Sequence, residues 1–218
     1  MRVTDVSARS SLLRTLVIGV LFAIMALVPL TASAAPPKDL SGEAPGMELT
    51  ARWWQVALAP GDLDFWFSEE PGANCRQVDL PSGPVVLVAG TFGGPSGNRV
   101  CTVPAGATVV LPAINSIYVL TDPPPADTIG VARAYNRGFL DGATAEATID
   151  GIPARVRRIS SSAFMVNGAV FGLGPLRAVS DGYWLVWTAT PGEHTVTTSG
   201  ETADGGFSTS TSYTFVVG

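Results

Sequence analysis

The feature that most constrains the fold is a series of short segments, rich in β-branched and aromatic residues, that recur about every ten residues from Ala143 to Val217. Turn-forming residues such as Gly, Pro, Asp and Ser separate them. We predict strands over 144–149, 152–159, 164–166, 170–173, 183–188, 194–198 and 212–217. Short strands at this spacing are typical of an antiparallel sandwich or jelly roll.

Three dipeptides between these segments indicate turns. Asp150-Gly151 separates two alternating runs by two residues, which predicts a tight hairpin. Asp181-Gly182 and Pro191-Gly192 predict two further turns. The segment 183–187 is apolar on both faces of its pleat, so we expect a central strand there.

The first half of the chain has weaker strand signals. We predict strands over 85–89, 99–103 and 108–112. The stretch 90–97 is rich in glycine, and we interpret it as a flexible hairpin loop between two strands. It does not fit a phosphate-binding loop, because no helix follows it and it lacks the Gly-Lys-Ser/Thr sequence.

Two segments have the periodicity of a helix. The apolar residues of 47–59 share one face of such a helix; they are Met47, Ala51, Trp54 and Leu58. We expect Trp54 to lie against a sheet. Trp53 falls at the edge of the apolar face, where an indole either packs at the core margin or stacks on a ligand. A weaker pattern predicts a second helix over 128–140.

These patterns together predict a mainly β fold, an antiparallel β-sandwich or jelly-roll-like domain with one or two short α-helices packed on it. We assign this domain to residues 47–218, after a flexible lead-in over 35–46. The proline run 123–125 cannot continue a sheet, so a subdivision near 122–127 is the alternative. One domain is favoured, because 46–121 alone has few elements with which to build a core.

The N-terminal segment has the three parts of a secretory signal peptide. Three arginines precede an apolar run over 16–30, and small residues follow in the pattern Ala32-x-Ala34. A retained anchor is the alternative, but the apolar run is about fifteen residues, short of the roughly 20 that span a bilayer. We therefore expect 1–34 to be a signal peptide cleaved near Ala34. The mature chain would be secreted or periplasmic, with no stable membrane anchor.

The charge of the chain disfavours one class of partner. The sequence has 13 Lys+Arg and 18 Asp+Glu, and its net charge is −5. Removal of 1–34 takes away three arginines and one aspartate, which leaves −7. An acidic chain without a basic stripe neutralises phosphates poorly. We expect no nucleic-acid partner.

Cys75 and Cys101 are the only cysteines. In an oxidising compartment two cysteines most simply form one disulfide. A metal-binding or redox-active cysteine pair is the alternative. Two observations disfavour it: the Cys-x-x-Cys spacing is absent, and His194 is the only histidine that could complete a metal site. The sequence therefore predicts no zinc site of the usual ligand types and no cofactor.

Catalytic patterns are sparse. A Ser-His-Asp triad would have to use His194, and no Gly-x-Ser-x-Gly elbow is present, so we assign no catalytic residue. Four carboxylates flank the aromatic run 65–67: Asp62, Asp64, Glu69 and Glu70. Paired carboxyl groups serve enzymes that cleave glycosidic bonds. The alternative is a loop whose acids face water while its aromatic residues anchor it.

The leading hypothesis is a secreted, non-enzymatic β-sandwich that binds a glycan or an envelope protein. The alternatives are a carboxylate-dependent polysaccharide hydrolase or lyase, and a structural component of the cell envelope. We expect any binding site where the first helix joins the sheet, with the polar and aromatic residues Trp53, Arg99, Asn115 and Tyr183. The sequence sets no oligomeric state.

Several motifs in combination resemble a family of uncharacterised secreted bacterial proteins. They are Trp53-Trp54-Gln55, Cys75 with Gln77, 87–94 (LVAGTFGG), 99–106 (RVCTVPAG), Pro112, Asn115, Ile149-Asp150-Gly151, 180–184 (SDGYW), 191–195 (PGEHT) and Tyr213. The resemblance covers most of the mature chain. It implies export, a Cys75–Cys101 disulfide and a single β-rich unit, and it implies no activity. Valines at 85–86 and 109–110 stand where the family pattern has aromatic residues.

Overall fold

The computed structural model describes residues 44–61, 63–80, 83–122 and 127–218. Four sequence predictions lie outside these residues: the signal peptide over 1–34, the lead-in up to residue 43, the carboxylate of Asp62, and the proline spacer 123–125. No helix among the described residues is long and apolar enough to cross a bilayer.

The described residues form eleven strands. They are β1 (Cys75–Leu80), β2 (Gly83–Val88), β3 (Gly94–Val103), β4 (Thr108–Val119), β5 (Thr144–Ile149), β6 (Ile152–Pro153), β7 (Val156–Arg158), β8 (Phe164–Val166), β9 (Leu176–Thr188), β10 (Gly192–Glu201) and β11 (Ser208–Val217). The helices are α1 (Ala44–Ala57), α2 (Asp64–Phe67) and α3 (Ile129–Leu140).

The strands are arranged in two sheets. The first has the order β1-β2-β4-β9-β7, with β8 also paired to β9, and the second has the order β3-β11-β10-β5-β6. Most neighbours are antiparallel, whereas β2–β4 and β3–β11 are parallel pairs. The predicted mainly β sandwich with short helices is confirmed, and β9 is a central strand as expected.

The main core fills the space between the sheets. Alternate residues of the facing strands point inward, as the period of two requires. The largest of these buried side chains are Leu111, Leu185, Trp187, Tyr213 and Phe215. They come from both halves of the sequence, so the segments before and after 122–127 share this core.

A second apolar cluster lies on the outer face of the first sheet, under α1. Trp53 is at its centre and is 0% exposed. Its ring makes edge contacts with those of Trp54, Phe65, Trp66 and Trp184, at centroid distances of 4.9 to 5.9 Å. The helix prediction is confirmed, although α1 begins at Ala44, three residues earlier than expected. Trp53 lies in the middle of the cluster rather than at its margin, because the aromatic residues of α2 cover that side of α1.

Three predicted local structures in the second half of the chain are wrong. The single strand predicted over 152–159 is divided between the two sheets, as β6 in the second sheet and β7 in the first. The segment predicted as a strand over 170–173 contains part of a 3₁₀ turn, Gly168–Phe171, which Gly172 ends at φ 71°. Asp181-Gly182 lies inside β9 rather than in a turn. The Asp181 carboxylate accepts from Arg158 there. A Cβ on Gly182 would lie 2.7 Å from both Asn115 Cβ and Trp184 Nε1, so close packing explains this glycine.

Candidate ligand-binding groove

The disulfide between Cys75 and Cys101 fixes the edge of the sandwich beside which the candidate site lies. Cys75 begins β1, at one edge of the first sheet, and Cys101 lies in β3, at the edge of the second. The bridge thus ties the two sheets together, with a Cα–Cα distance of 6.2 Å. Gly72 N also donates to Val100 O at 2.7 Å, which holds the preceding turn against β3. The predicted disulfide is confirmed.

The glycine-rich stretch connects the two sheets. β2 belongs to the first sheet and β3 to the second, so the predicted hairpin between them is wrong. The chain crosses between the sheets at Gly93 and Gly94, whose φ values of 112° and 72° lie in the left-handed region that glycine tolerates. Thr91 Oγ1 donates to Gly94 O at 3.0 Å and closes the bend. Phe92 extends from this bend and is 60% exposed.

α2 forms the opposite side of the site. The side-chain amide of Asn74, which is buried, donates to Phe65 O and Ser68 O and thereby fixes the short helix. The ring of Phe65 faces the core, whereas Phe67 points outward and is 65% exposed. Trp66 lies between them, buried, with its indole N–H donating to Ala57 O at 2.6 Å.

A groove of about 540 Å³ separates α2 from the first half of β3. Its apolar side is a shelf of two exposed rings, those of Phe67 and Phe92, whose centroids are 5.7 Å apart and whose planes meet at 22°. The ring of Trp66 supports Phe92 at a centroid distance of 4.1 Å. We call this pair of exposed rings, with Trp66 beneath, the phenylalanine shelf. The polar lining beside it comprises Glu69, Thr91, Ser96, Asn98 and Arg99.

Arg99 is the half-buried cation of the groove. Its Nη1 donates to Gly90 O at 3.1 Å and to the hydroxyl of Tyr213 at 3.0 Å, and its Nη2 donates to Trp66 O at 2.8 Å. One side chain therefore connects the glycine-rich bend, α2 and β11. All three acceptors are uncharged.

Tyr213 supports Arg99 from within the core. Its hydroxyl also donates to Ala89 O at 2.9 Å. Burial raises the pKa of Tyr213 to about 12, and the charge of Arg99 lowers that pKa only in part. The phenol therefore stays protonated at neutral pH, and it both accepts from Arg99 and donates to the backbone.

The structure separates the four residues predicted as a binding site. Arg99 lines the groove. Trp53 is wholly buried, with its indole N–H donating to Val88 O at 2.7 Å, so it serves the core. Asn115 and Tyr183 are half-buried on neighbouring strands β4 and β9 and do not line the groove. The guanidinium of Arg158 lies over the ring of Tyr183 at 5.8 Å.

The candidate catalytic groups do not converge. Of the carboxylates near 65–67, the described ones, Asp64, Glu69 and Glu70, are all exposed, and only Glu69 lines the groove. His194 connects two turns: its Nδ1 lies 2.8 Å from Asp150 Oδ2 and its Nε2 lies 2.9 Å from Thr190 O. No cluster of three or more potential metal ligands occurs among the described residues.

Comparison with protein-family models, with curated proteins and with solved structures finds no match. The groove is therefore interpreted from its own geometry.

Sequence reasoning missed Phe67, Phe92 and Asn98. The sequence signal that could have identified Phe92 is an aromatic residue among glycines, since such a stretch has no strand neighbours to cover a large ring. The sequence pattern predicts that all three aromatic residues of 65–67 anchor a loop, but only Phe65 and Trp66 are buried.

Proposed function

We propose that this protein is an extracytoplasmic, non-enzymatic binding module that holds a glycan in the groove between α2 and β3. The observation that carries the proposal is the phenylalanine shelf, in which two large apolar rings lie side by side in the open, next to polar groups.

Exposure of two neighbouring phenylalanine rings is costly in a protein without a ligand. Burial of such a side chain stabilises the folded state by roughly 1.5–3 kcal/mol. Because both rings are mostly exposed, most of this stabilisation is absent. The groove is not built for a wholly apolar ligand, because Ser96, Asn98 and Arg99 line it as well. A sugar ring matches this combination: its C–H face packs on an aromatic ring while its hydroxyl groups hydrogen-bond to polar side chains.

The distribution of carboxylates favours binding over cleavage. Glycosidic cleavage uses two carboxyl groups on either side of the bond. Among the residues that the structure describes, the groove contains one carboxylate, Glu69, and it is exposed. The disulfide and the signal-like N-terminal segment support a location outside the cytoplasm.

A glycan-binding screen of the mature protein tests the proposal, with Phe92→Ala and Phe67→Ala as groove variants. Ile152→Ala is the matched control, because Ile152 is also a large apolar residue, 61% exposed, in the β5–β6 hairpin away from the groove. We expect the two groove variants to lose binding by about tenfold each and the control to bind normally. The proposal fails if the protein binds no glycan, or if all three variants bind equally well. Trp53→Ala is unsuitable here, because Trp53 is a core residue.

A further inference from the structure

We infer that the groove selects acidic sugars, with Arg99 binding a carboxylate carried on the sugar ring. This inference rests on the proposed function and names the class of ligand for the same site.

The hydrogen bonds of Arg99 leave part of its guanidinium available. A guanidinium has five N–H groups. Arg99 makes three hydrogen bonds within the described residues, so two of its N–H groups have no partner among those residues. They belong to a side chain that lines the groove.

The charge of Arg99 is also unneutralised. Its three acceptors are two backbone carbonyls and a phenol that stays protonated, and it makes no ion pair with any described residue. Arg158 differs, since it bonds the carboxylates of both Asp181 and Asp141. A half-buried cation with neutral partners attracts an anion more strongly than an exposed one, because less water screens it.

Glu69 is the groove residue that opposes an anionic ligand. Its side chain is exposed and no hydrogen bond or ion pair of it occurs among the described residues, so solvent screens its charge. Glu69 therefore reduces the affinity for an acidic sugar without abolishing it.

The ligand class follows from two neighbouring features. The phenylalanine shelf fits the C–H face of a pyranose, and Arg99 lies on the same groove as the shelf. A uronic acid carries both complementary groups on one ring. Bonds between a guanidinium and a carboxylate are charge-assisted and are roughly twice as strong as neutral ones.

The first test compares an oligogalacturonide with its methyl ester, which has the same ring and no charge. We expect the acid to bind about tenfold more tightly at neutral pH, with the preference falling as ionic strength rises. Equal binding of both would overturn the inference and leave the glycan-binding proposal intact. Failure of both to bind, together with a negative glycan screen, would overturn both. A glutamate tetrapeptide that binds as tightly as the oligogalacturonide would assign the site to acidic peptides instead.

The second test uses charge variants of exposed residues, so that folding is preserved. Glu69→Gln removes the negative charge in the groove, and Glu70→Gln removes the next one along the chain, which does not line the groove. We expect Glu69→Gln to increase the preference for the acid over the ester about threefold, with Glu70→Gln neutral for both ligands. Arg99→Gln should remove the preference for the acid. Equal effects of the two glutamate variants, or a preference that survives Arg99→Gln in a folded protein, would contradict the inference.

Discussion

The hydroxyl of Tyr213 lies 3.0 Å from Nη1 of Arg99 and 2.9 Å from the carbonyl oxygen of Ala89. Tyr213 lies in β11, a core strand of the second sheet. Its hydroxyl therefore connects this strand to Arg99, and to Ala89 directly after β2. Arg99 in turn donates to Gly90 O and Trp66 O, so the buried phenol supports the side chain that connects both sides of the groove.

Tyr213→Phe tests this connection. The substitution removes both hydrogen bonds of the hydroxyl, and we expect it to lower the free energy of unfolding by about 2 kcal/mol. Urea unfolding measures the loss, and Tyr135→Phe serves as the control because Tyr135 is exposed. Under the proposed function, glycan affinity should fall in parallel, since Arg99 loses one of its supports. A variant of unchanged stability would show that the buried hydroxyl contributes little.

The same residue predicts how stability depends on alkaline pH. Burial raises the pKa of Tyr213 from 10.0 to about 12, so the folded protein favours the protonated phenol. Its contribution is complete below pH 10.0 and is lost as the pH rises towards about 12. We expect unfolding in that range to coincide with ionisation of Tyr213, measured as the tyrosinate absorbance of the wild type minus that of Tyr213→Phe. In Tyr213→Phe, the loss of stability over this pH range should disappear. If the free energy of unfolding of the variant falls with pH as steeply as that of the wild type, other groups cause the loss.

Removal of the disulfide should affect both stability and the groove. Cys75 and Cys101 are 26 residues apart, and closure of such a loop stabilises the fold by about 3.5 kcal/mol on the chain-entropy estimate. We expect the Cys75→Ala/Cys101→Ala variant to unfold at a correspondingly lower urea concentration. Under the proposed function it should also bind glycan more weakly, because the two sheet edges beside the groove lose their link. Addition of reductant should destabilise the wild type and leave the variant unchanged. An equal response of both proteins to reductant would contradict this assignment.

Local chemistry explains which parts of the fold were predictable. Asp150 and Gly151 adopt φ values of 53° and 75°, the left-handed conformation of a two-residue hairpin, and the sequence predicts that turn from the two residues alone. Asp181 and Gly182 have the same residue types, yet they lie in β9. Their environment comes from Arg158 and Asn115, which are distant in sequence, and no local pattern contains that information.

The site shows the same limit. Helical periodicity predicts Trp53 at the edge of an apolar face. Whether that edge is buried depends on what packs over it, and here Phe65 and Trp66 of α2 cover the indole. Exposure of Phe67 and Phe92 likewise follows from the meeting of α2 and the glycine-rich bend at one edge of the sandwich. The disulfide was predictable from the count of cysteines together with the compartment that the sequence predicts, whereas the shelf required three-dimensional packing.

Two glycine substitutions should have opposite effects on stability. Gly182→Ala places a Cβ 2.7 Å from Asn115 Cβ and from Trp184 Nε1, and such overpacking costs about 1–3 kcal/mol. Gly138 lies in α3, where an added Cβ has no heavy atom within 4 Å. Gly138→Ala should therefore stabilise the protein by about 0.5–1 kcal/mol through helix propensity. Thermal unfolding of both variants checks the signs; destabilisation by Gly138→Ala would contradict the packing of α3.

The turn between β10 and β11 should loosen in acid. Asp204 Oδ1 accepts from Gly206 N at 2.9 Å and from the hydroxyl of Thr202 at 2.7 Å, and these bonds hold the pKa of Asp204 below its usual value of 3.8. A lowered folded-state pKa means that the stabilisation is present above pH 3.8 and is lost as the pH falls through the folded value.

Phe207, at the end of this turn, lies against Gly93, since a Cβ on that glycine would be 3.5 Å from its ring. We therefore expect protection of the Gly206 amide from hydrogen exchange to fall in acid, and the glycine-rich bend to become more mobile with it. Asp204→Asn should remove the pH dependence of Gly206 protection below neutral pH. If protection of the Gly206 amide in Asp204→Asn depends on pH as it does in the wild type, another carboxylate causes the effect.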